Sequence, residues 1–190
     1  MEQQTSGAAA TAVFGIKFID PQAVLSQLEI RDRVKVADFG CGAGFFSLAF
    51  AQKIGKEGMV YALDILPEKL ETVNSQARNL GITNITTQRA NLEMEGGSKL
   101  PEQSVDWVII KDMLYQNKEK AKILMEAKRV IKNDGKILLI EWKTGDTSIG
   151  PDQNLRIAKE SLVSLAQENG LGVFKEIKAG DFHYGLILIK

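Results

Sequence analysis

The sequence predicts a doubly wound α/β fold: a mostly parallel sheet with helices on both faces and an antiparallel last strand. Three observations carry that prediction. β-prone runs alternate with helix-length stretches whose apolar residues recur at helical spacing, the pattern of repeated strand–helix–strand units. The first run passes through glycines at alternate positions, Gly40, Gly42 and Gly44, into the apolar segment Phe45 to Ile54, which reads as a strand, a tight turn and a helix. Near the other end, the alternating runs Leu171 to Ala179 and His183 to Lys190 are joined only by Gly180-Asp181-Phe182. That link is too short for a parallel crossover, so the two runs must pair antiparallel.

Length and composition bound the rest. A chain of 190 residues suits one domain with a substantial core. Residues 1–20 read as a flexible N-terminal segment or flap, and residues 21–190 as the single domain. Lysine plus arginine balances aspartate plus glutamate at 24 each, so no net field favours nucleic acid or an anionic membrane, and no nucleic-acid partner is expected. No apolar run reaches membrane-spanning length, and Met1 to Ser6 lacks the basic and apolar regions of a signal peptide. A single cysteine, Cys41, cannot form an internal disulfide. Together these point to a cytoplasmic protein.

Taken in order, Asp20-Pro21 reads as an N-cap followed by proline at the first helical position, opening a helix to about Leu28. Val34 to Asp38 is the first strand and Met59 to Asp64 the second. Glu68 to Leu80 is amphipathic and is stopped by Gly81. Ile85 to Arg89 is the third strand, and Glu95 to Glu102, with its glycines and Pro101, a loop. Ser104 to Lys111 is nearly continuously apolar, as a strand buried on both faces should be. Asn117 is expected to cap a helix from about Lys118 to Ile131, after which Asn133-Asp134-Gly135 turns the chain into a fifth strand, Lys136 to Trp142. The polar stretch that follows, residues 143–153, is placed to form part of a substrate lid, and Leu155 to Asn169 is the last helix.

The glycine loop is not that of a dinucleotide fold. The G-x-G-x-x-G pattern would need glycine where Phe45 stands, and Phe45 is expected to obstruct both helix packing and a pyrophosphate. Instead the order is Asp38-x-Gly40-x-Gly42-x-Gly44. The carboxylate suits an ammonium group, while the N–H groups opening the next helix suit a carboxylate, so the loop is arranged for a zwitterion. Asp64 ends the second strand about 20 residues beyond the loop, where a carboxylate can accept both hydroxyls of a ribose; the alternative is an N-cap for the helix near Pro67.

At these residues the chain resembles the class I, Rossmann-like S-adenosylmethionine-dependent methyltransferases, from roughly Phe18 to Lys190, and among them the ubiquinone/menaquinone-biosynthesis and related small-molecule branch. The resemblance implies S-adenosyl-L-methionine as cofactor, S-adenosyl-L-homocysteine as product, and transfer of the methyl group to a small-molecule acceptor by in-line displacement. The cofactor-binding residues it implies are Asp38, Gly40, Cys41, Gly42, Gly44 and Phe45 on the loop, Asp64 and Ile65 after the second strand, Asn91 and Leu92 after the third, and Lys111 at the end of the fourth. Where the family usually has an aspartate for the adenine amino group, this chain has Asn91, whose amide oxygen can also accept; a plain turn residue is the other reading. Asn-Pro-Pro-Tyr, the signature of nucleic-acid amino-methyltransferases, is absent, and so are the cysteines with which arsenic methyltransferases hold the metalloid. No His, Cys, Asp or Glu cluster has metal-ligand spacing.

No catalytic residue is assigned. His183 is the only histidine and reads as a surface or hydrogen-bonded structural residue; Asp112, Tyr115 and Glu141 lie near strand ends. Two rival functions stand beside the small-molecule enzyme: methylation of protein or RNA through a docked partner, and a non-catalytic S-adenosylmethionine-binding module.

Overall fold

A computed structural model describes residues 16–145, 147 and 149–190. Most of the expected N-terminal flap, residues 1–15, lies outside the described residues. The elements are α1 (Pro21–Leu25), β1 (Lys35–Phe39), α2 (Phe45–Lys53), β2 (Met59–Asp64), α3 (Pro67–Asn79), β3 (Ile85–Arg89), β4 (Val105–Lys111), α4 (Lys120–Val130), β5 (Ile131–Trp142), α5 (Lys159–Glu168), β6 (Gly172–Lys178) and β7 (His183–Ile189). They form one seven-stranded sheet in the order β3-β2-β1-β4-β5-β7-β6. β7 runs antiparallel to both β5 and β6, and the other pairings are parallel. Strand order reverses between β1 and β4, so the carboxyl ends of these two strands flank the crevice where a doubly wound sheet binds its ligand.

Alternation along the strands sorts the core into two layers. On one face Val36, Val60, Trp107, Ile109, Leu138 and Ile140 meet Val24 and Leu25 of α1 and Phe46, Ala49 and Phe50 of α2. On the other, Ala37, Val108, Ile110, Ile137 and Leu139 meet Ile123, Leu124, Ala127 and Val130 of α4 and Leu162 and Ala166 of α5. The central strands are apolar almost throughout because helices cover both faces. Among the described residues no helix is long and apolar enough to cross a membrane.

Several boundaries differ from the sequence reading, each for a local reason. α1 stops at Leu25 because the chain tightens: Gln27 and Leu28 donate to carbonyls only three residues back, Val24 at 3.1 Å and Leu25 at 3.2 Å. Asn117 does not cap α4; its amide reaches back to the Met113 carbonyl at 2.8 Å. The N–H groups of Lys118 and Glu119 instead meet the Glu93 carboxylate, at 3.0 and 3.2 Å. β5 begins at Ile131, before the expected turn, and the register against β4 slips between the pairs Val105–Ile131 and Trp107–Lys136, leaving Asn133 and Asp134 exposed. α5 starts at Lys159 because the preceding residues are drawn into the loop after β5.

No helix joins β3 to β4. That connection is held by a side chain from α4: the buried Glu126 carboxylate accepts from the N–H of Gly96 at 3.1 Å, the N–H of Ser98 at 3.0 Å and the Ser98 hydroxyl, and pairs with Arg129 at 2.7 Å. Burial alone would raise this carboxyl, but the bonds from Arg129 and Ser98 outweigh it and hold the group down at about 2.

Candidate active site

A cavity of about 460 Å³ opens at the switch point, and ten of the eleven residues expected to hold the cofactor line it. The exception is Gly44. The three glycines have distinct jobs, all with φ in the left-handed region. A Cβ on Gly40 would stand 3.1 Å from Met113 Sδ, and one on Gly44 would stand 2.7 Å from Val73 Cγ2, so Gly44 sets the close approach of α2 to α3. A Cβ on Gly42 would meet nothing within 4 Å, because it would project into open space at the cavity. The loop is tied to β2 by the N–H groups of Gly40 and Cys41, which donate to the Leu63 carbonyl at 2.8 and 2.9 Å. Phe45 does not obstruct helix packing: it stands 69% exposed at the cavity lip. Cys41 packs with Ala62, Leu70 and Val73, and burial pushes its thiol well above its ordinary range.

Asp38 and Asp64 share the cavity. Asp38 is 3% exposed and accepts from the Ser47 hydroxyl at 2.6 Å. Burial pushes its carboxyl up to about 6, against the lowering effects of Ser47 and Lys111. A buried carboxylate with little local compensation is what an ammonium-bearing ligand would complete. Asp64 is no helix cap: its oxygens accept from Gly42 N–H and Leu66 N–H, each at 3.0 Å, and Leu66 occupies the cap position of α3. It thereby joins the glycine loop to the end of β2, with lone pairs left over. Asn91 makes the turn that was the alternative reading, its Oδ1 accepting from Glu93 N–H at 3.2 Å, and it also lines the cavity beside buried Leu92.

The other side of the crevice is built from residues that carry no assigned role in the sequence pattern. Asp112, immediately after β4, sits at φ +50, a left-handed conformation uncommon for a non-glycine residue. The turn is held by Glu141 of β5, whose Oε1 accepts from the N–H groups of Met113 and Leu114 at 3.0 and 2.6 Å. Glu141 is 1% exposed, and burial, reinforced by the charge of Asp112, pushes its carboxyl up to about 7. Asp112 pairs with Lys111 through Oδ2 and places Oδ1 3.1 Å from His183 Nε2. Burial alone would raise the Asp112 carboxyl, but His183 and Lys111 outweigh it and hold it below the ordinary range. His183 is not at the surface: it is 4% exposed, with its ring centroid 4.0 Å from that of Trp142.

The loop after β5 is organised by Arg156. Its buried guanidinium donates to the carbonyls of Pro151 at 2.9 Å and Ile149 at 2.8 Å, and more loosely to those of Lys143, Gly145 and Thr147, while lying over the Trp142 ring. No local motif announces this arginine; its partners are fixed only by the tertiary fold.

The comparisons agree with this architecture. Residues 30–177 match the methyltransferase domain family. The ubiquinone/menaquinone biosynthesis C-methyltransferase UbiE of Blochmanniella floridana is 34% identical over 130 residues, covering 68% of this chain and 50% of that protein. UbiE of Haemophilus ducreyi is 33% identical over 132 residues, covering 68% and 49%. The chain therefore spans about half the length of these curated relatives. The crystal structure of a SAM-dependent methyltransferase from Aquifex aeolicus superposes with a TM-score of 0.83 at 25% identity, over 91% of each chain. With the sheet order, the acidic residue before the glycine loop and these matches in agreement, the chain belongs to the class I S-adenosylmethionine-dependent methyltransferase family.

Proposed function

We propose that this protein transfers the methyl group of S-adenosylmethionine to a small-molecule acceptor in the cytoplasm. The observation that carries the reading is one cavity that holds, along its length, a buried carboxylate at Asp38, a glycine at Gly42 with no atom where a Cβ would stand, a second carboxylate at Asp64 and an amide at Asn91. Asp38 is assigned to the ligand's ammonium and Asp64 to its ribose hydroxyls. The N–H groups of the first turn of α2 take its carboxylate, and Asn91 with the Leu92 N–H takes its adenine. Lys111 turns its charge toward Asp112, which leaves the strand backbone to face the methionine chain.

Bound S-adenosylmethionine supplies a methyl group already activated by its sulfonium charge. The chain's task is then alignment, which can contribute roughly 7–11 kcal/mol. A small acceptor is supported by the names of the relatives and by the balanced charge. Calorimetric titration with S-adenosylmethionine, S-adenosylhomocysteine and NADH tests the cofactor assignment. Micromolar binding of the first two, about −8 kcal/mol, with none of NADH is expected; binding of NADH alone, or of none, overturns it.

A further inference from the structure

Four buried side-chain polar atoms among the described residues lack a hydrogen-bond partner, and all four belong to Asp112, Glu141 and His183. Partnerless buried polar atoms are costly, and native structures keep few of them. Here they gather at one place, where the ends of β4 and β5 meet the start of β7. The place also carries the left-handed Asp112, whose conformation is fixed by the bonds Glu141 makes to the next two N–H groups.

The position of this group is as informative as its composition. Asp112 lines the cavity assigned to the methyl donor, whereas His183 lines a second and larger cavity, of about 1480 Å³, with Phe18, Lys143 and Asp181 around it. The contact of 3.1 Å between Asp112 Oδ1 and His183 Nε2 therefore joins a residue of one cavity to a residue of the other. The two atoms are close enough to pair but are not aligned for a hydrogen bond, and His183 Nδ1 has no partner either. A group arriving from the larger cavity would find an imidazole whose Nδ1 has no partner and, 3.1 Å from its Nε2, the carboxylate that lines the donor cavity.

We propose that Asp112 and His183 form the proton-accepting pair of the acceptor site, and that the acceptor is a phenol or enol entering through the cavity lined by Phe18 and His183. This rests on the methyltransferase reading above. In the step, the acceptor's O–H bond breaks and its proton moves to the His183 imidazole. The released electron pair forms the bond to the methyl carbon as the sulfonium C–S bond breaks, its pair staying on sulfur. Asp112, kept ionised by Lys111, stabilises the imidazolium, which then gives its proton to water. Glu141 is a positioning residue that acts through the backbone turn carrying Asp112. The charged groups at this end of the sheet include Asp38 and Asp64 at the ends of β1 and β2, Lys111 at the end of β4 with Asp112 after it, Glu141 in β5 with Lys143 after it, Arg156 over Trp142, and Asp181 before β7.

Because His183 is the only histidine, its ring resonance is unique in a proton NMR spectrum. The probes are 4-nitrophenol and 4-nitroanisole, the second having no proton to give, each added to protein saturated with S-adenosylhomocysteine. Nitrophenol is expected to shift the His183 resonance toward its protonated position and to show the yellow phenolate band at lower pH than free nitrophenol does; nitroanisole should do neither. In His183→Gln and Asp112→Asn, bound nitrophenol should lose that early ionisation, and methyl transfer to any phenolic acceptor should fall roughly 10²–10⁴-fold. In His183→Gln, which lies outside the lining of the donor cavity, S-adenosylhomocysteine affinity should remain. A His183 resonance that ignores nitrophenol, or responds equally to nitroanisole, overturns the proposal, as does unchanged probe ionisation in His183→Gln. The wild-type measurement decides even if a variant fails to fold. Calorimetry of S-adenosylhomocysteine separately reads the donor site, so failure of one assignment is distinguishable from failure of the other.

Discussion

The two sides of the crevice are built in opposite ways. On the donor side, backbone does most of the shaping: Gly40, Gly42 and Gly44 turn the chain, and Asp64 bonds to the N–H groups of Gly42 and Leu66. Asp38 has the Ser47 hydroxyl, and neither Asp38 nor Asp64 has a buried side-chain oxygen that lacks a partner. On the acceptor side, side chains from positions 112, 141, 156 and 183 converge, and polar atoms of three of them stay unpartnered. The difference teaches which ligand each side expects. A fixed ligand common to a whole family can be met by a finished site. A site whose own polar atoms are unsatisfied leaves those bonds for its ligand to make.

The sharpest way to break the comparison is Asp38→Asn. At pH 7 the buried Asp38 is ionised at a cost: its folded value of about 6 against 3.8 for the exposed group corresponds to roughly 3 kcal/mol. Because the folded value is raised, this contribution to stability is intact below about 4 and is lost as pH rises through 6. The asparagine variant should therefore be more stable than wild type at pH 7 in urea unfolding, while its affinity for S-adenosylmethionine falls about 10- to 100-fold, the worth of one charge-assisted bond. In the wild type the same affinity should weaken as pH drops below about 6 and Asp38 protonates. A variant that binds normally would remove Asp38 from the donor site.

Glu141→Gln sharpens the contrast from the other side. The amide oxygen can still accept from Met113 and Leu114, so the turn at Asp112 should survive. Wild-type Glu141, raised from 4.5 to about 7, contributes stability that is complete below about 4.5 and lost as pH climbs through 7. Wild type and variant should be equally stable at pH 4.5, and the variant more stable at pH 8, by up to about 3 kcal/mol. A difference that does not change with pH would show that Glu141 is not the titrating group.

How far the sequence could be read follows the same division. The alternation of strands and helices, the reversed final strand and the glycine turn were legible because each depends on short-range pattern, whereas the order of the strands in the sheet was not. That Asp64 and Asn91 would line the crevice was legible because one ends and the other follows a strand that returns beside the loop. Gly44 was assigned to the ligand, but its conformation serves Val73, a partner that only the packing of α2 on α3 reveals. His183 read as a surface or structural residue, since nothing near it in sequence foretells that antiparallel pairing of β7 with β5 brings it beside Trp142 and Asp112. The Asp20 cap held, being local, but the Asn117 cap failed: Glu93 meets the start of α4 from 25 residues away, a distance at which no local rule operates.

The finest test separates the strain of the glycine loop from its use. Gly42 and Gly55 both adopt left-handed conformations, at φ +52 and +70, and a Cβ on either would meet nothing within 4 Å. Alanine at either site should thus destabilise the protein by a similar amount, about 1–2 kcal/mol for the left-handed backbone. Only Gly42 lines the donor cavity, so only Gly42→Ala should weaken S-adenosylhomocysteine binding as well. Unfolding and calorimetry on the two variants read both quantities. Equal losses of stability with unequal losses of affinity would show that the space at Gly42 is kept for the ligand. Equal affinities would mean that the turn at Gly42, like the one at Gly55, serves the chain alone.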